Sequence, residues 1–129
     1  MSTGFYLVPL KVMDAVVANQ NRVSLVTNKN RIPLVSYTVV WTNGVTGTFS
    51  VEVSNDYVPG QAPFEEPVNA GTWTALPLAP APVAPAGVAG SDQIEIIFSS
   101  SAWIRLVFTD GSGGAGTGTI TATIAGSVA

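Results

Sequence analysis

Beyond residue 21 the chain alternates apolar and polar side chains with a period of two, in stretches rich in β-branched and aromatic residues. In LVSYTVVW (34–41), Val35, Tyr37, Val39 and Trp41 fall on one face. In GTFSVEVS (47–54), Phe49, Val51 and Val53 alternate with Thr48, Ser50, Glu52 and Ser54. In the segment 117–126, Ile120, Ala122 and Ile124 alternate with Thr119, Thr121 and Thr123. Such stretches predict antiparallel strands with one face in a core and one in water. RVSLVT (22–27), GTWTAL (71–76), DQIEIIF (92–98) and AWIRLVFT (102–109) bring the count to seven. About seven short strands divided by Gly, Pro and Asn clusters predict an all-β chain, an antiparallel β-sandwich or jelly-roll-like fold. Only VMDAVVANQN (12–21) offers room for a turn or two of helix.

The connections refine this picture. TNGVTG (42–47) holds an Asn43-Gly44 pair, residues that tolerate the positive φ of a tight hairpin, so strands 34–41 and 47–54 are expected to pair. PLAPAPVAPAG (77–87) contains four prolines, cannot join a ladder, and is expected to run extended over the surface, against either a neighbouring subunit or its own domain. The first 21 residues differ in character: FYLVPL is densely apolar, and Pro9 cannot donate to a central ladder. Residues 1–21 are therefore expected to form an N-terminal arm or edge segment, suited to strand addition between chains, and 22–129 the sandwich domain.

Composition narrows the chemistry. At 129 residues the chain suits one domain, and only 10% of it is charged, against roughly 25% in an ordinary soluble domain. The net charge is −3 and the five basic residues are scattered apart from a loose group at 22–31, which gives no footprint for nucleic acid. Cysteine and histidine are absent, which removes disulfides, thiolate metal sites and the commonest general base. The N-terminus reads as neither a signal peptide nor a membrane span, since no basic residue precedes Lys11 and Pro9 interrupts the apolar run.

Gly111, Gly113 and Gly116 match the G-x-G-x-x-G spacing of dinucleotide-binding loops. A pyrophosphate needs the free N–H groups of a following helix, yet TGTITATI alternates like a strand, so 111–118 is expected to be a flexible turn and no cofactor is expected. The loop carboxylates Asp56, Asp92 and Asp110 lack the spacing of a calcium loop, so no metal is expected, and no carboxylate pair is specified for catalysis. Arg105 lies mid-strand on the face of Trp103 and Val107, where its guanidinium is expected to stack on an indole or pair with Glu52 or Asp56. Trp41, Trp73 and Trp103 read first as core anchors, with Trp73 the most exposed.

GTFSVEVSNDY, GTWTALPL and AWIRLVFTDGSGGAGTGTITATI, in that order, resemble small β-sandwich proteins encoded among the structural genes of tailed bacteriophages. The resemblance covers roughly residues 35–126. It implies a non-enzymatic virion component assembled in the host cytoplasm: a capsid decoration (cement) protein, or a tail or adaptor subunit. Its partners would be the major capsid protein or other virion proteins, with self-association into a homo-oligomer and no membrane or nucleic-acid partner. On that reading the expected partner contacts are Phe5, Tyr6, Leu7 and Leu10 of the arm and Pro80, Pro82 and Pro85 of the loop. The same elements are also similar to the discoidin-like, galactose-binding family. That likeness implies a carbohydrate-binding module for host attachment, with Trp73, Asp56 and Arg105 as ligand contacts.

Overall fold

The computed structural model describes residues 6–29, 32–61, 65–96 and 100–127. Nine strands are found among them, all pairing antiparallel: β1 (Tyr6–Val17), β2 (Arg22–Val23), β3 (Thr27–Asn28), β4 (Leu34–Trp41), β5 (Gly47–Ser54), β6 (Thr74–Ala75), β7 (Gly90–Ile96), β8 (Trp103–Asp110) and β9 (Thr119–Ser127). One sheet has the order β1-β9-β4-β7; the other has β2-β8-β5-β6, with β3 also on β8. The chain is an all-β antiparallel sandwich.

The alternation places the core. Val35, Tyr37, Val39 and Trp41 of β4 and Ile120, Ala122 and Ile124 of β9 are buried. From the other sheet, Phe49, Val51 and Val53 of β5 and Ile104, Leu106 and Phe108 of β8 are buried as well. The Phe49 ring touches both Trp41 and Phe108, at centroid distances of 5.7 and 5.4 Å. The single apolar layer is thus stitched from both inner faces.

The expected hairpin between 34–41 and 47–54 is not formed. Gly44 does take a positive φ of 94°, as the Asn-Gly pair invites, but Val45 is wholly buried and carries the chain across to the opposite sheet. Hydrogen bonds then fix the crossing: Gly44 N–H donates to Gly87 O (3.0 Å), and Asn43 Oδ1 accepts from Ala89 N–H (2.8 Å). β4 pairs with β7 and β9, and β5 with β6 and β8.

The strand count rises from about seven to nine for two reasons. The segment expected as one strand at 22–27 divides into β2 and β3 around Ser24. There Ser24 N–H donates to Leu106 O (2.9 Å) while Ser24 Oγ accepts from Leu106 N–H (2.8 Å), so a hydroxyl takes the place of a ladder carbonyl. The second reason is β1, a 12-residue edge strand laid along β9. Its register shifts three times, and Val12 and Met13 are buried in succession, which breaks the alternation that would reveal it. Residues 12–17, where helix was allowed for, belong to this strand. The segment 71–76 shortens to the two residues of β6.

The Tyr37 hydroxyl is buried without a hydrogen-bond partner. Ser24 lies beside it, but the Ser24 hydroxyl donates to Leu25 O (3.0 Å); burial pushes the Tyr37 pKa up. An unsatisfied buried hydroxyl carries a desolvation cost of roughly 1–3 kcal/mol. Tyr37→Phe is therefore expected to raise stability by about 1 kcal/mol in urea unfolding. A loss of stability would mean that the hydroxyl is engaged with Ser24 after all.

Candidate functional site

On the outer face of the five-stranded sheet, β5 and β8 set Glu52 directly opposite Arg105. Cross-strand neighbours of opposite charge meet at this spacing, and Arg105 donates from Nη2 (2.7 Å) and Nε (2.8 Å) to the same Glu52 oxygen, Oε1. Both side chains are 24% exposed. β6 pairs with β5 so that Thr74 faces Val53, which brings the preceding residue, Trp73, over the same sheet. The Arg105 Cζ lies 4.1 Å from the centroid of the Trp73 ring. The guanidinium is thus held at its edge by a carboxylate and on its face by an indole, both of the alternatives expected for it.

Trp73 is itself fixed. Its indole N–H donates to Ala70 O at 2.9 Å, and Gly71, at φ +85°, turns the chain beside it. A Cβ at Gly71 would stand about 3.0 Å from Ser54 Oγ and from Tyr57 Cβ, so no larger residue fits there without displacing them. Tyr57 bridges two tryptophans, with centroid distances of 5.7 Å to Trp73 (57° between planes) and 5.1 Å to Trp103 (66°). All three rings are half-buried. Trp41 alone of the three tryptophans is a core anchor; Trp103 is half-exposed because its position in β8 faces outward, and Trp73 is half-exposed in the loop just before β6.

Asp56 ties this loop region to the end of β5. Its Oδ1 accepts from Thr72 N–H (2.7 Å) and Ser54 Oγ (2.8 Å), and its Oδ2 accepts from Thr72 Oγ1 (2.9 Å). The Thr72 amide first, then the Ser54 and Thr72 hydroxyls, hold its pKa below the usual carboxylate value. A carboxylate so occupied has no proton to give at neutral pH. A shallow cavity of about 410 Å³ opens beside this network, bordered by Asn55, Thr74 and Ser101.

Trp73, Asp56 and Arg105, widely separated in the chain, therefore gather in one surface cluster. Sequence reasoning missed Tyr57 and Trp103 as its members. Trp103 shares the outward phase of Arg105 and was legible in that respect; Tyr57 sits in a loop with no period to read.

The expected partner residues are dispersed. Phe5 lies outside the described residues. Tyr6 and Leu7 belong to β1, opposite Ser127 and Gly126, so this segment is paired into the sheet. Leu10 is 50% exposed. Pro80 is exposed and Pro82 half-buried, whereas Pro85 is buried and its carbonyl accepts from Gly47 N–H (3.1 Å). The end of the Pro-Ala loop thus packs on its own domain. Leu10 has company on the same flank: Val17, Val23 and Leu25 are 41, 53 and 62% exposed. Residues 22–25 run beside β1, since Leu25 N–H donates to Val12 O (3.1 Å) and Arg22 Nε to Val17 O (2.9 Å).

The glycine-rich stretch holds no cofactor geometry. It crosses from β8 to β9 in the other sheet and is pinned by Asp110, which accepts from Ser112 N–H (2.8 Å), the Ser112 hydroxyl (2.6 Å) and Gly114 N–H (2.9 Å). The expected flexible turn is in fact a capped one. Among the described residues no three carboxylates gather closely enough to hold a metal ion.

No family model matches the chain. No curated protein matches it either. Among solved structures, chitosan-binding module 1 from a chitosanase/glucanase of Paenibacillus sp. IK-5 is similar, with a TM-score of 0.42 and 15% identity over 87% of this chain and 74% of that one. At that identity the likeness concerns the course of the backbone alone.

Asp56 makes the cluster acid-sensitive. Its folded pKa is depressed, so the stability it contributes is complete above the unfolded carboxylate value of about 4 and is lost as pH falls through the folded value. Tryptophan emission is expected to shift as pH falls below about 4, and Asp56→Asn to produce the low-pH spectrum at pH 7. An Asp56→Asn protein with the native spectrum and native acid response would show that the loop is held by other contacts.

Proposed function

We propose that the chain is a non-enzymatic structural subunit of a tailed-phage particle, a capsid decoration (cement) protein that binds other virion proteins. The observation that carries this reading is that Leu10 and Val17 of β1, and Val23 and Leu25 of the segment hydrogen-bonded to β1, are all exposed. Apolar side chains grouped on one side of a chain with only 10% charged residues supply a contact whose driving force is burial. Repetition on a symmetric shell multiplies a modest contact into firm attachment. The resemblance of the segments from GTFSVEVSNDY onward to phage structural proteins supports the same conclusion.

Removal of residues 1–10 is a poor test, because it would strip half of β1 from β9. Leu10→Asp with Leu25→Asp leaves every strand pairing in place. These changes are expected to weaken co-sedimentation with capsid shells by roughly 2–3 kcal/mol, about 30- to 150-fold, with an unchanged circular dichroism spectrum. Undiminished binding to shells would remove the flank from the interface, and binding to tails alone would move the subunit to the tail.

A second reading, a carbohydrate-binding module used in host attachment, is favoured by the gathering of Trp73, Asp56 and Arg105 with Tyr57 and Trp103. Half-exposed rings beside hydroxyl and amide groups are the materials of sugar recognition: an apolar face for ring C–H groups and a few fixed polar partners. A saturable change in tryptophan fluorescence on titration with glycans is its expected signature.

A further inference from the structure

We propose that the Trp73 cluster takes a neutral, soluble glycan chain and rejects anionic glycans and crystalline polysaccharide faces; this rests on the second reading above and specifies its ligand.

The charge argument begins with Arg105. A basic side chain is what an anionic sugar would seek, but this guanidinium already binds Glu52 through Nε and Nη2 and is covered by the Trp73 ring. One positive and two negative groups, Arg105 against Glu52 and Asp56, leave the cluster with a surplus of one negative charge, which repels uronic acids and sulfated sugars. A protonated amino sugar would meet carboxylates that already have partners, since both Asp56 oxygens accept protein donors and Glu52 Oε1 holds the guanidinium. The neighbouring cavity is bordered by neutral hydrogen-bonding groups, the Thr74 and Ser101 hydroxyls and the Asn55 amide. Those groups suit hydroxyl partners.

The shape argument rests on the rings. A crystalline polysaccharide presents a plane, and binding it takes coplanar aromatic faces. Here Tyr57 is inclined by 57° to Trp73 and by 66° to Trp103, so it shares a plane with neither indole and the three rings make no flat platform. Rings so inclined, at 5.1–5.7 Å, can offer one sugar a face and its neighbour an edge. The indole bond to Ala70 and the stacking on Arg105 fix Trp73 in advance, which lowers the ordering cost of binding.

The test uses the intact chain and four probes in calorimetry and fluorescence titration: hexaoses of glucose and of N-acetylglucosamine as neutral chains, a sulfated dextran, and a glucosamine hexaose. A pull-down on microcrystalline cellulose and chitin accompanies them. The expected result is saturable binding of a neutral hexaose that is insensitive to salt, with no retention on the crystalline solids. Trp73→Ala is expected to weaken it by about tenfold or more, the scale of one lost aromatic contact, and Trp73→Phe to recover part of the loss. Retention of hexaose binding by Leu10→Asp with Leu25→Asp would separate this site from the docking flank. Binding confined to the sulfated or the amino sugar, or to the solids, would overturn the inference while leaving carbohydrate recognition in place. Silence across all probes would overturn both.

Discussion

The structure depends on one constraint: the two sheets share a single apolar layer, and the chain must visit both to fill it. Six of the eight connections between successive strands pass from one sheet to the other. Each passage lifts the backbone out of a ladder and leaves its amides in need of partners. The side chains that supply them are short and oxygen-bearing: Asn21 for Asp110, Asn43 for Ala89, Asn55 for Ala102, Asp56 for Thr72, Asp92 for Val83, and Asp110 for Ser112 and Gly114. The loops are consequently built as caps on the ends of the sandwich.

This explains what the few carboxylates do. Asp56, Asp92 and Asp110 accept backbone N–H groups, and Glu52 is tied to Arg105. Hydrogen bonds of this kind lower the pKa values of Asp56 and Asp110 and hold them ionised. The same bonds that make the loops firm make those groups poor proton donors. The two candidate surfaces differ in kind. The β1 flank is aliphatic, while the outer face of the other sheet is aromatic and polar.

Much of the core was legible because β4, β5, β8 and β9 keep their alternation over most of their length. Phase alone told which residues would be inside, and it also placed Trp103 and Arg105 together on the outside. It could not tell which sheet a strand would join. Asn43-Gly44 reads locally as a hairpin, and only the burial of Val45, a tertiary fact, decides that the chain arches over instead. Residues 1–21 were legible as an arm or edge segment, but the extent and register of β1 were not, because its bulges reset the period that sequence reading relies on. Within the cluster, the indole that would cover Arg105 was not determined by spacing, since it arrives from a two-residue strand at the end of a long loop.

The irregularity of β1 has a bearing on the life of the free protein. An outermost strand of 12 residues, if flat and evenly bonded, is a template on which further copies could stack without limit. Pro9 offers no amide, the three changes of register twist the row of donors and acceptors out of line, and the Val12 carbonyl is taken by Leu25. Stacking through the main chain of β1 is thereby hindered, and association along this edge falls to side chains, which can choose their partner, where the main chain cannot.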